Sequence, residues 1–341
     1  MCIPSALVRG GLCVQRLGLM WWLLFAGVLV GKVFGDATPA SLPLPRILFE
    51  TGFEPWEGYD LETDLSGQNN WVSEGTGGNG ILEGPLQGFE GNVAYIGFTP
   101  PAATNEFLNV WRPINLKPVG KDLPIIQFNV VFQIFDSTTN AAFFDDFRWS
   151  VYTSQGERLF TLDFSNEHRE ISYLLDDDKG FQKTGFGFRN DESYELVLLM
   201  NFHRKLWTAR INDVVVVNGL PLTTKLASID FGDVDAVWAI NGGGTPGDNF
   251  MVFDDYQLTA QPVSSIPAML EPMGVLSNDR FLLRVLGEPG LTYVLESSFD
   301  LNQWIPAGSG IAQSPGGYVD FQDPLDTSGR KKFFRAHALA P

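Results

Sequence analysis

Residues 194–222 read YELVLLMNFHRKLWTARINDVVVVNGLPL and contain three apolar runs separated by polar, turn-forming residues. The runs are Tyr194–Phe202, Leu206–Asn212 and Val214–Asn218. Short runs rich in Val, Ile, Tyr and Trp, bounded by Asn, Asp or Gly, are typical of β-strands joined by tight turns. This stretch therefore predicts three consecutive strands.

The same pattern continues on the N-terminal side of this stretch, in Ile125–Phe135, Phe147–Thr153 and Leu159–Phe164. In Phe147–Thr153 the large apolar side chains fall at every second position, so one face of that strand should be buried and the other wet. No segment after the N-terminal region has the periodicity of a helix of three turns. The sequence predicts an all-β sandwich.

The N-terminus has the composition of a secretory signal peptide. Arg9 and Arg16 precede an apolar run, Leu17–Gly31, which is followed by small residues suited to a cleavage site. The run holds about 15 residues, fewer than the ~20 of a membrane-spanning helix. We predict a signal peptide over residues 1–35 and a secreted or periplasmic protein without stable membrane insertion; an uncleaved anchor is the alternative.

Removal of that segment leaves an acidic chain without cysteine. Both cysteines, Cys2 and Cys13, lie in it, so no disulfide is expected. The whole chain has 23 basic and 40 acidic residues; without Arg9, Arg16 and Lys32 the balance is 20 against 40, a formal charge of −20. Such a surface disfavours nucleic acid and anionic membranes as partners. It provides carboxylates for calcium, or simply keeps the protein soluble.

A change in composition divides the remaining chain into two parts. Residues 261–270 contain Pro and Ser that disfavour strand pairing and are predicted to be a linker. Residues 36–46 form an N-terminal linker in this interpretation, and residues 47–260 form the larger domain. Residues 271–341 hold about five short apolar runs, enough for a small second β domain.

Several segments resemble known folds. Residues 194–222 and 233–256 (DVDAVWAINGGGTPGDNFMVFDDY) resemble strands of concanavalin A-like, laminin-G-like jelly rolls. Residues 47–71 (ILFETGFEPWEGYDLETDLSGQNNW) resemble the first strand and tryptophan-bearing loop of jelly rolls in secreted proteins of Verrucomicrobia and Planctomycetes. The segments 293–298 (YVLESS) and 333–336 (FFRA) resemble a fibronectin-type-III-like module. The resemblance implies a jelly roll, a fold that hosts glycosidases, lectins, adhesins and spacers alike.

No catalytic constellation is evident in the sequence. The three histidines have no zinc-ligand spacing, and no nucleophile motif is found. In jelly-roll glycosidases the two carboxylates typically come from one Glu-x-Asp-x-Glu strand. The nearest approach is Asp60, Glu62 and Asp64, in an order and setting that indicate a loop. We therefore expect no enzymatic activity, with a polysaccharide hydrolase or lyase as a remote alternative.

Calcium is the one cofactor that the jelly-roll resemblance implies. In many carbohydrate-binding jelly rolls a structural calcium joins the first and last strands through a Phe-Glu pair and an Asp-Asp pair. The matching residues are Glu54 or Glu50 near the start and Asp254 and Asp255 near the end. The alternative is that the two aspartates are charges of an edge strand that discourage aggregation.

Aromatic residues in polar surroundings are the candidates for a glycan site, because sugars stack on exposed rings. Trp56, Tyr59 and Trp71 lie among Gly, Asn and acidic residues and are expected to be exposed. Trp111, followed by Arg112-Pro113, fits either the surface or the core. The tryptophans expected in the core are Trp149, Trp207, Trp238 and Trp304.

Two functional hypotheses follow. The first is a module that binds extracellular polysaccharide, with or without a structural calcium. The second is a structural or protein-interaction scaffold of the bacterial envelope. Exposed aromatic rings beside acids and amides would favour the first, and a smooth charged face with every tryptophan buried would favour the second.

Overall fold

A computed structural model describes residues 43–99, 107–136, 144–190, 192–240, 247–263, 266, 268–314, 316–325 and 330–339. This part of the chain is almost entirely β-structured, as predicted, and its one helical segment is the 3-10 turn Pro55–Glu57. Its helical content includes nothing long and apolar enough to cross a membrane. The predicted signal peptide (1–35) and residues 36–42 of the predicted N-terminal linker lie outside the described residues.

The strands are, in chain order, β1 (Arg46–Thr51), β2 (Val72–Gly75), β3 (Asn79–Leu82), β4 (Val93–Gly97), β5 (Phe107–Trp111), β6 (Ile125–Phe135), β7 (Asp146–Tyr152), β8 (Arg158–Ser165), β9 (Glu170–Leu175), β10 (Gln182–Gly187), β11 (Tyr194–Asn201), β12 (Leu206–Ile211), β13 (Val214–Pro221), β14 (Asp233–Ala239), β15 (Phe250–Gln261), β16 (Met269–Val275), β17 (Arg280–Leu286), β18 (Thr292–Ser298), β19 (Ile305–Ile311), β20 (Tyr318–Pro324) and β21 (Phe333–Ala338).

The first fifteen strands form a large jelly-roll sandwich of two antiparallel sheets. The eight-stranded sheet has the order β13-β12-β11-β6-β15-β4-β3, with β1 also paired to β15. The seven-stranded sheet has the order β10-β9-β8-β7-β14-β5-β2. The three strands predicted from residues 194–222 are β11, β12 and β13, and they lie side by side in the eight-stranded sheet.

Aromatic side chains fill the space between the two sheets. Phe128 of β6 and Trp149 of β7 lie with their ring centroids 5.3 Å apart, and Phe160 of β8 stacks on Trp207 of β12 at 3.8 Å. The alternation predicted for β7 is confirmed, because Phe147, Trp149 and Val151 are fully buried. The intervening residues of β7 point to the outer face of the seven-stranded sheet.

The outer face of the eight-stranded sheet carries a chain of hydrogen-bonded polar side chains, which we call the amide ladder. Gln261 Nε2 donates to Gln127 Oε1 at 3.1 Å, and Gln127 Nε2 donates to Asn129 Oδ1 at 3.0 Å. Asn129 Nδ2 donates to Gln257 Oε1 at 3.3 Å, and Gln257 Nε2 donates to Glu50 Oε2 at 3.1 Å. Each side chain of the ladder therefore has a hydrogen-bond partner within the ladder.

The last six strands form a smaller β-sandwich of two three-stranded sheets, β16-β17-β20 and β19-β18-β21. Its core includes Val285, Tyr293 and Leu295. Sequence reasoning expected about five strands here and missed β16, which begins within residues 261–270. Pro272 and Gly274 lie in this strand, and both are tolerated because β16 is an edge strand with an irregular register at that point.

The smaller sandwich packs against the larger one through a buried ion pair. Arg204 Nη1 lies 2.6 Å from Glu288 Oε1, and Asn201 Nδ2 donates to both oxygens of the same carboxylate. Ile125 and Leu199 of the large sandwich join the core of the small one. Residues 42–341 accordingly form one compact unit.

Candidate functional site

Two of the predicted glycan-binding aromatics, Tyr59 and Trp71, are core residues. Tyr59 is 7% exposed and Trp71 is 2% exposed, and Trp71 Nε1 donates to the Tyr59 hydroxyl at 3.0 Å. Both rings contact the fully buried Phe53. The expectation that they are exposed is wrong, because the loop folds over the end of the core and turns its polar residues, not its rings, towards solvent.

The other two predicted aromatics lie in different surroundings. Trp56 is on the 3-10 turn and is 82% exposed, as predicted. Trp111 is half-buried at the end of β5, opposite Val72 of β2. Among the described residues neither ring contacts another aromatic ring, so the four predicted aromatics do not form one surface.

Of the predicted calcium ligands, Glu54 and Asp254 lie around Gly52 with a third acid, Glu57, that sequence reasoning missed. A Cβ atom on Gly52 would lie 3.7 Å from Asp254 Oδ1 and 3.9 Å from both Glu57 Oε2 and Glu54 Cγ. Burial raises the pKa of Asp254 to about 7, and the charges of Asp255, Glu54 and Glu57 also raise it. In the described chain no Lys or Arg forms an ion pair with these acids. We call Glu54, Glu57 and Asp254 the Gly52 carboxylates.

The other two predicted calcium ligands, Glu50 and Asp255, do not belong to the Gly52 carboxylates. Glu50 belongs to the amide ladder, where its carboxylate accepts from Gln257. Asp255 is exposed at φ +50°, and its backbone N–H donates to Asp254 Oδ1 at 2.7 Å. No group of three or more His, Cys, Asp or Glu side chains in the described ranges is placed to hold a metal ion. Glu54 and Asp254 therefore fit a cation only together with backbone oxygens, which calcium accepts.

The outer face of the seven-stranded sheet presents polar side chains in rows that run across the strands. One row consists of Leu174 (β9), Thr161 (β8), Ser150 (β7) and Asp235 (β14). The next consists of Asp163 (β8), Arg148 (β7), Val237 (β14), Asn109 (β5) and Glu74 (β2). Arg158, Tyr152 and Asp233 form a third row on β8, β7 and β14.

Some members of these rows line a cavity of about 370 Å³, which we call the sheet groove. Its walls include Phe107, Asn109, Arg148, Tyr152, Arg158, Leu174 and Phe181. The groove reaches from β9 to β5, four interstrand spacings of about 4.8 Å or roughly 19 Å. Its volume lies in the range of about 300–1,000 Å³ that is typical of small-molecule sites.

Arg148, near the centre of the groove, is paired with two acidic side chains. Arg148 Nε lies 2.6 Å from Asp163 Oδ1, its Nη2 lies 3.8 Å from Asp146 Oδ2, and its guanidinium lies over the ring of Phe181, 4.9 Å from the centroid. Burial raises the pKa of Asp163. The charge and the hydrogen bond of Arg148 lower it, but the effect of burial is larger. Burial and the charge of Asp163 raise the pKa of Asp146 to about 6. The arginine is thus fixed in place by acids on two sides.

Beside the groove, Asp233 and Asp235 lie two residues apart on the outer face of β14 and form a carboxyl pair. Asp235 is 4% exposed, and burial raises its pKa well above the usual range, with further contributions from the charges of Asp233 and Glu74. Burial also raises the pKa of Asp233. Both carboxyl groups therefore bind a proton more tightly than an isolated aspartate does.

Several polar atoms of this face have no hydrogen-bond partner. Among the described residues, six buried side-chain N or O atoms have none, and three of them are Asn109 Oδ1, Arg158 Nε and Asp235 Oδ1 on the outer face of the seven-stranded sheet. Buried polar atoms are normally satisfied, so such a concentration on one face requires an explanation. Two of these residues, Asn109 and Arg158, also line a cavity on this face.

Sequence reasoning missed this site, although a signal was present. The polar residues Arg148, Ser150 and Tyr152 alternate with the apolar residues of a strand that was correctly predicted. The same alternation places Asp233 and Asp235 on one face of β14. What the sequence did not contain is the order of the strands, and only that order brings β7, β8 and β14 together.

No protein-family model matches this sequence, and no curated protein does. Among solved structures, a sialidase aligns with 56% of this chain and 17% of its own, at 9% identity and a TM-score of 0.39, so this chain spans about a sixth of that protein. The CBM2 module of the evolved Dit protein of Lactobacillus casei BL23 phage J-1 aligns over 64% of this chain and 97% of its own, at 16% identity and a TM-score of 0.41. The lectin UEA-II in complex with galactose aligns over 65% and 100%, at 10% identity and a TM-score of 0.40. Because these TM-scores are all below 0.5, the function of this chain must be inferred from its own residues.

Proposed function

We propose that this protein is a secreted or periplasmic, non-catalytic protein that binds an extracellular polysaccharide in the sheet groove. The observation that carries the proposal is a cavity of about 370 Å³ on one sheet face whose walls combine aromatic and apolar side chains with polar ones. Phe107, Phe181 and Leu174 supply apolar surface to the cavity, and Asn109 and Arg158 supply polar groups.

Carbohydrates match this mixture better than other small molecules do. A sugar ring has C–H faces that pack on aromatic rings and hydroxyl groups that both donate and accept hydrogen bonds. Asn109 and Arg158 line the cavity, and a hydroxylated ligand can both accept hydrogen bonds from such side chains and donate to them. The open side of a sheet also suits a chain molecule that extends past the site.

The carboxyl pair supports binding without catalysis. Glycoside hydrolysis uses two carboxyl groups about 5–9 Å apart, on either side of the scissile bond. Asp233 and Asp235 instead lie on the same face of one strand, and neither lines the cavity, so they do not flank a ligand in the groove. We expect that polysaccharides bound by the protein release no new reducing ends and no unsaturated products on incubation.

A structural calcium at the Gly52 carboxylates is a further part of the proposal, with Glu54 and Asp254 as its side-chain ligands. Their uncompensated negative charge and the raised pKa of Asp254 support it. Without calcium, the stability contributed by Asp254 is fully present below its unfolded-state pKa of about 4 and is lost as the pH rises through about 7. Calcium should therefore raise the melting temperature more at about pH 8 than at about pH 5.5, because binding requires the ionised carboxylate.

Thermal unfolding with calcium and with EDTA tests this part. Asp254→Asn should abolish the calcium-dependent rise, whereas Glu50→Gln, in the amide ladder, should retain it. An equal effect of calcium on both variants, or no effect on the natural protein, would remove calcium from the proposal and leave the groove unaffected.

One observation favours the scaffold alternative. The smaller sandwich exposes Val275, Ile305 and Ile311, each about 60% accessible, on its edge strands β16 and β19. Exposed apolar side chains of this kind suit contact with an envelope protein. In that case partner binding would be lost on changes to these strands and unaffected by changes in the groove.

Binding to an array of polysaccharides, followed by calorimetric titration with the best ligand, tests the main proposal. Phe181→Ala should weaken binding about tenfold or more, which is the loss expected for a ring that contacts the ligand. Phe186→Ala is the matched control, because Phe186 is as exposed as Phe181, at 40% against 42%, and does not line the groove. Equal affinities for the two variants, or no polysaccharide ligand at all, would contradict the proposal.

A further inference from the structure

Arg158 is unusual among the cations that line the sheet groove. It is half-buried at the start of β8, its Nε has no hydrogen-bond partner, and its Nη2 makes one long hydrogen bond of 3.5 Å to the Leu175 carbonyl. No carboxylate of the described chain lies within 4.0 Å of it. A guanidinium that is partly removed from water and lacks a counter-ion is costly.

The other charges of the groove are already compensated. Arg148 is paired with Asp163 and Asp146. Burial raises the pKa values of Asp233 and Asp235, which favours their neutral forms, and neither forms an ion pair with Arg158. Within the described lining of the groove, Arg158 therefore remains as the cation without an anion, even though the chain as a whole has a formal charge of −17.

A planar guanidinium is the side chain best suited to a carboxylate or sulfate group, because its N–H groups can donate two parallel hydrogen bonds to an anion. Thr161 and Tyr152 line the cavity with Arg158, so hydroxyl groups lie at the same end. The apolar surface of Leu174, which pairs across the strands with Thr161, is available to the ring that carries the anion.

We propose that the sheet groove recognises a glycan bearing an acidic substituent, a carboxylate or a sulfate group, with Arg158 as its counter-ion. This inference rests on the proposed glycan-binding function and names the class of its ligand. The negative charge of the rest of the protein does not prevent it, because charges are screened beyond about 8 Å at physiological ionic strength, whereas the contact to Arg158 is direct.

Two pairs of ligands that differ only in charge test the inference and separate the two sources of the anion. Oligogalacturonate is compared with its methyl ester, and a sulfated carrageenan oligosaccharide with the same oligosaccharide after chemical desulfation, by calorimetric titration of the purified protein. We expect the charged member of one pair to bind at least about tenfold more tightly than its neutral partner.

Arg158→Gln should weaken binding of the charged ligand by about tenfold or more and leave binding of the neutral partner within about twofold, while Arg158→Lys should retain part of the preference. Arg280→Gln is the control, because Arg280 is exposed in the smaller sandwich and its loss changes the net charge equally. Unchanged melting temperatures would show that the variants are folded.

The outcomes distinguish this inference from the proposed function. If the neutral member of each pair binds as well as the charged one, or if Arg158→Gln weakens both equally, the acidic ligand is wrong and glycan binding stands. If no member of either pair binds and the polysaccharide array yields no ligand, glycan binding itself is wrong. If Arg280→Gln has the same effect as Arg158→Gln, the preference reflects total charge and the assignment to Arg158 is overturned.

Discussion

The two outer faces of the large sandwich differ in how fully their polar side chains are hydrogen-bonded to one another. On the eight-stranded sheet, the amide ladder links Gln261, Gln127, Asn129, Gln257 and Glu50 in a continuous chain of donors and acceptors. On the seven-stranded sheet, Asn109 and Arg158 line the groove, and Asp235 lies beside it, each with an unpartnered buried atom. Both faces are rich in polar residues, and they differ in whether those residues satisfy one another.

This difference separates a structural face from a binding face. Side chains that are hydrogen-bonded to one another stabilise the sheet and leave few donors or acceptors for a ligand. Unpartnered buried atoms cost free energy in the folded protein. The unpartnered residues of the proposed binding face therefore do not stabilise the sheet.

The largest effect is expected at Trp149, which lies beneath both faces and contacts Phe128 and Phe253 in the core. Trp149→Ala should reduce the free energy of unfolding by about 3–5 kcal/mol, because it leaves a cavity between the sheets. Chemical denaturation measures this change. Trp56→Ala is the control on the exposed 3-10 turn and should cost less than about 0.5 kcal/mol. If Trp149→Ala reduced the free energy of unfolding no more than Trp56→Ala does, the packing of the two sheets would not depend on the Trp149 ring.

A smaller effect, dependent on pH, is expected at Asp235. Its pKa is raised in the folded state, so its contribution to stability is fully present below the unfolded-state value of about 4 and is lost as the pH rises through the folded-state value. Asp235→Asn, which is uncharged at every pH, should therefore gain stability relative to the natural protein as the pH rises above about 4. Urea unfolding at several pH values measures this. Asp213→Asn, at an exposed turn, should follow the natural curve, and parallel curves for all three proteins would contradict the buried pair.

The amide ladder provides the next prediction. Asn129→Ala removes two hydrogen bonds and leaves Gln127 Nε2 without an acceptor and Gln257 Oε1 without a donor, so the free energy of unfolding should fall by about 1 kcal/mol. Glycan affinity should not change, because the ladder lies on the opposite sheet. Loss of glycan binding in this variant, with the fold intact by circular dichroism, would show that the eight-stranded face takes part in recognition.

The smallest effect on stability is expected for Asn109→Leu, the counterpart of Asn129→Ala on the groove face. The substitution removes a buried acceptor that has no partner, so the free energy of unfolding should change by less than about 0.5 kcal/mol or rise. Binding of the polysaccharide should weaken clearly in the same variant. A loss of stability as large as that of Asn129→Ala would mean that Asn109 is satisfied within the protein, and the contrast between the two faces would disappear.

Most of the strands could be predicted from the sequence, and only part of the candidate site could. Phe147–Thr153 was predicted with an inner apolar face and an outer wet face, and the outer face became the centre of the groove. In contrast, Tyr59 and Trp71 were expected on the surface because their sequence neighbours are polar, and they are buried. The residues next to a ring in sequence do not determine what packs on it, since those contacts come from strands far away in the chain.

The sequence by itself determined the all-β architecture, because side chains of a strand alternate between two faces and the apolar face must be buried. It likewise determined the large excess of acids and the acidic residues near the first and last strands of the large sandwich. Only the tertiary structure decided which outward residues meet. Strand order brings Arg158 of β8, Tyr152 of β7 and Asp233 of β14 into one row, and burial then alters the pKa of the carboxyl pair. These properties depend on neighbours that are remote in sequence, and no local pattern encodes them.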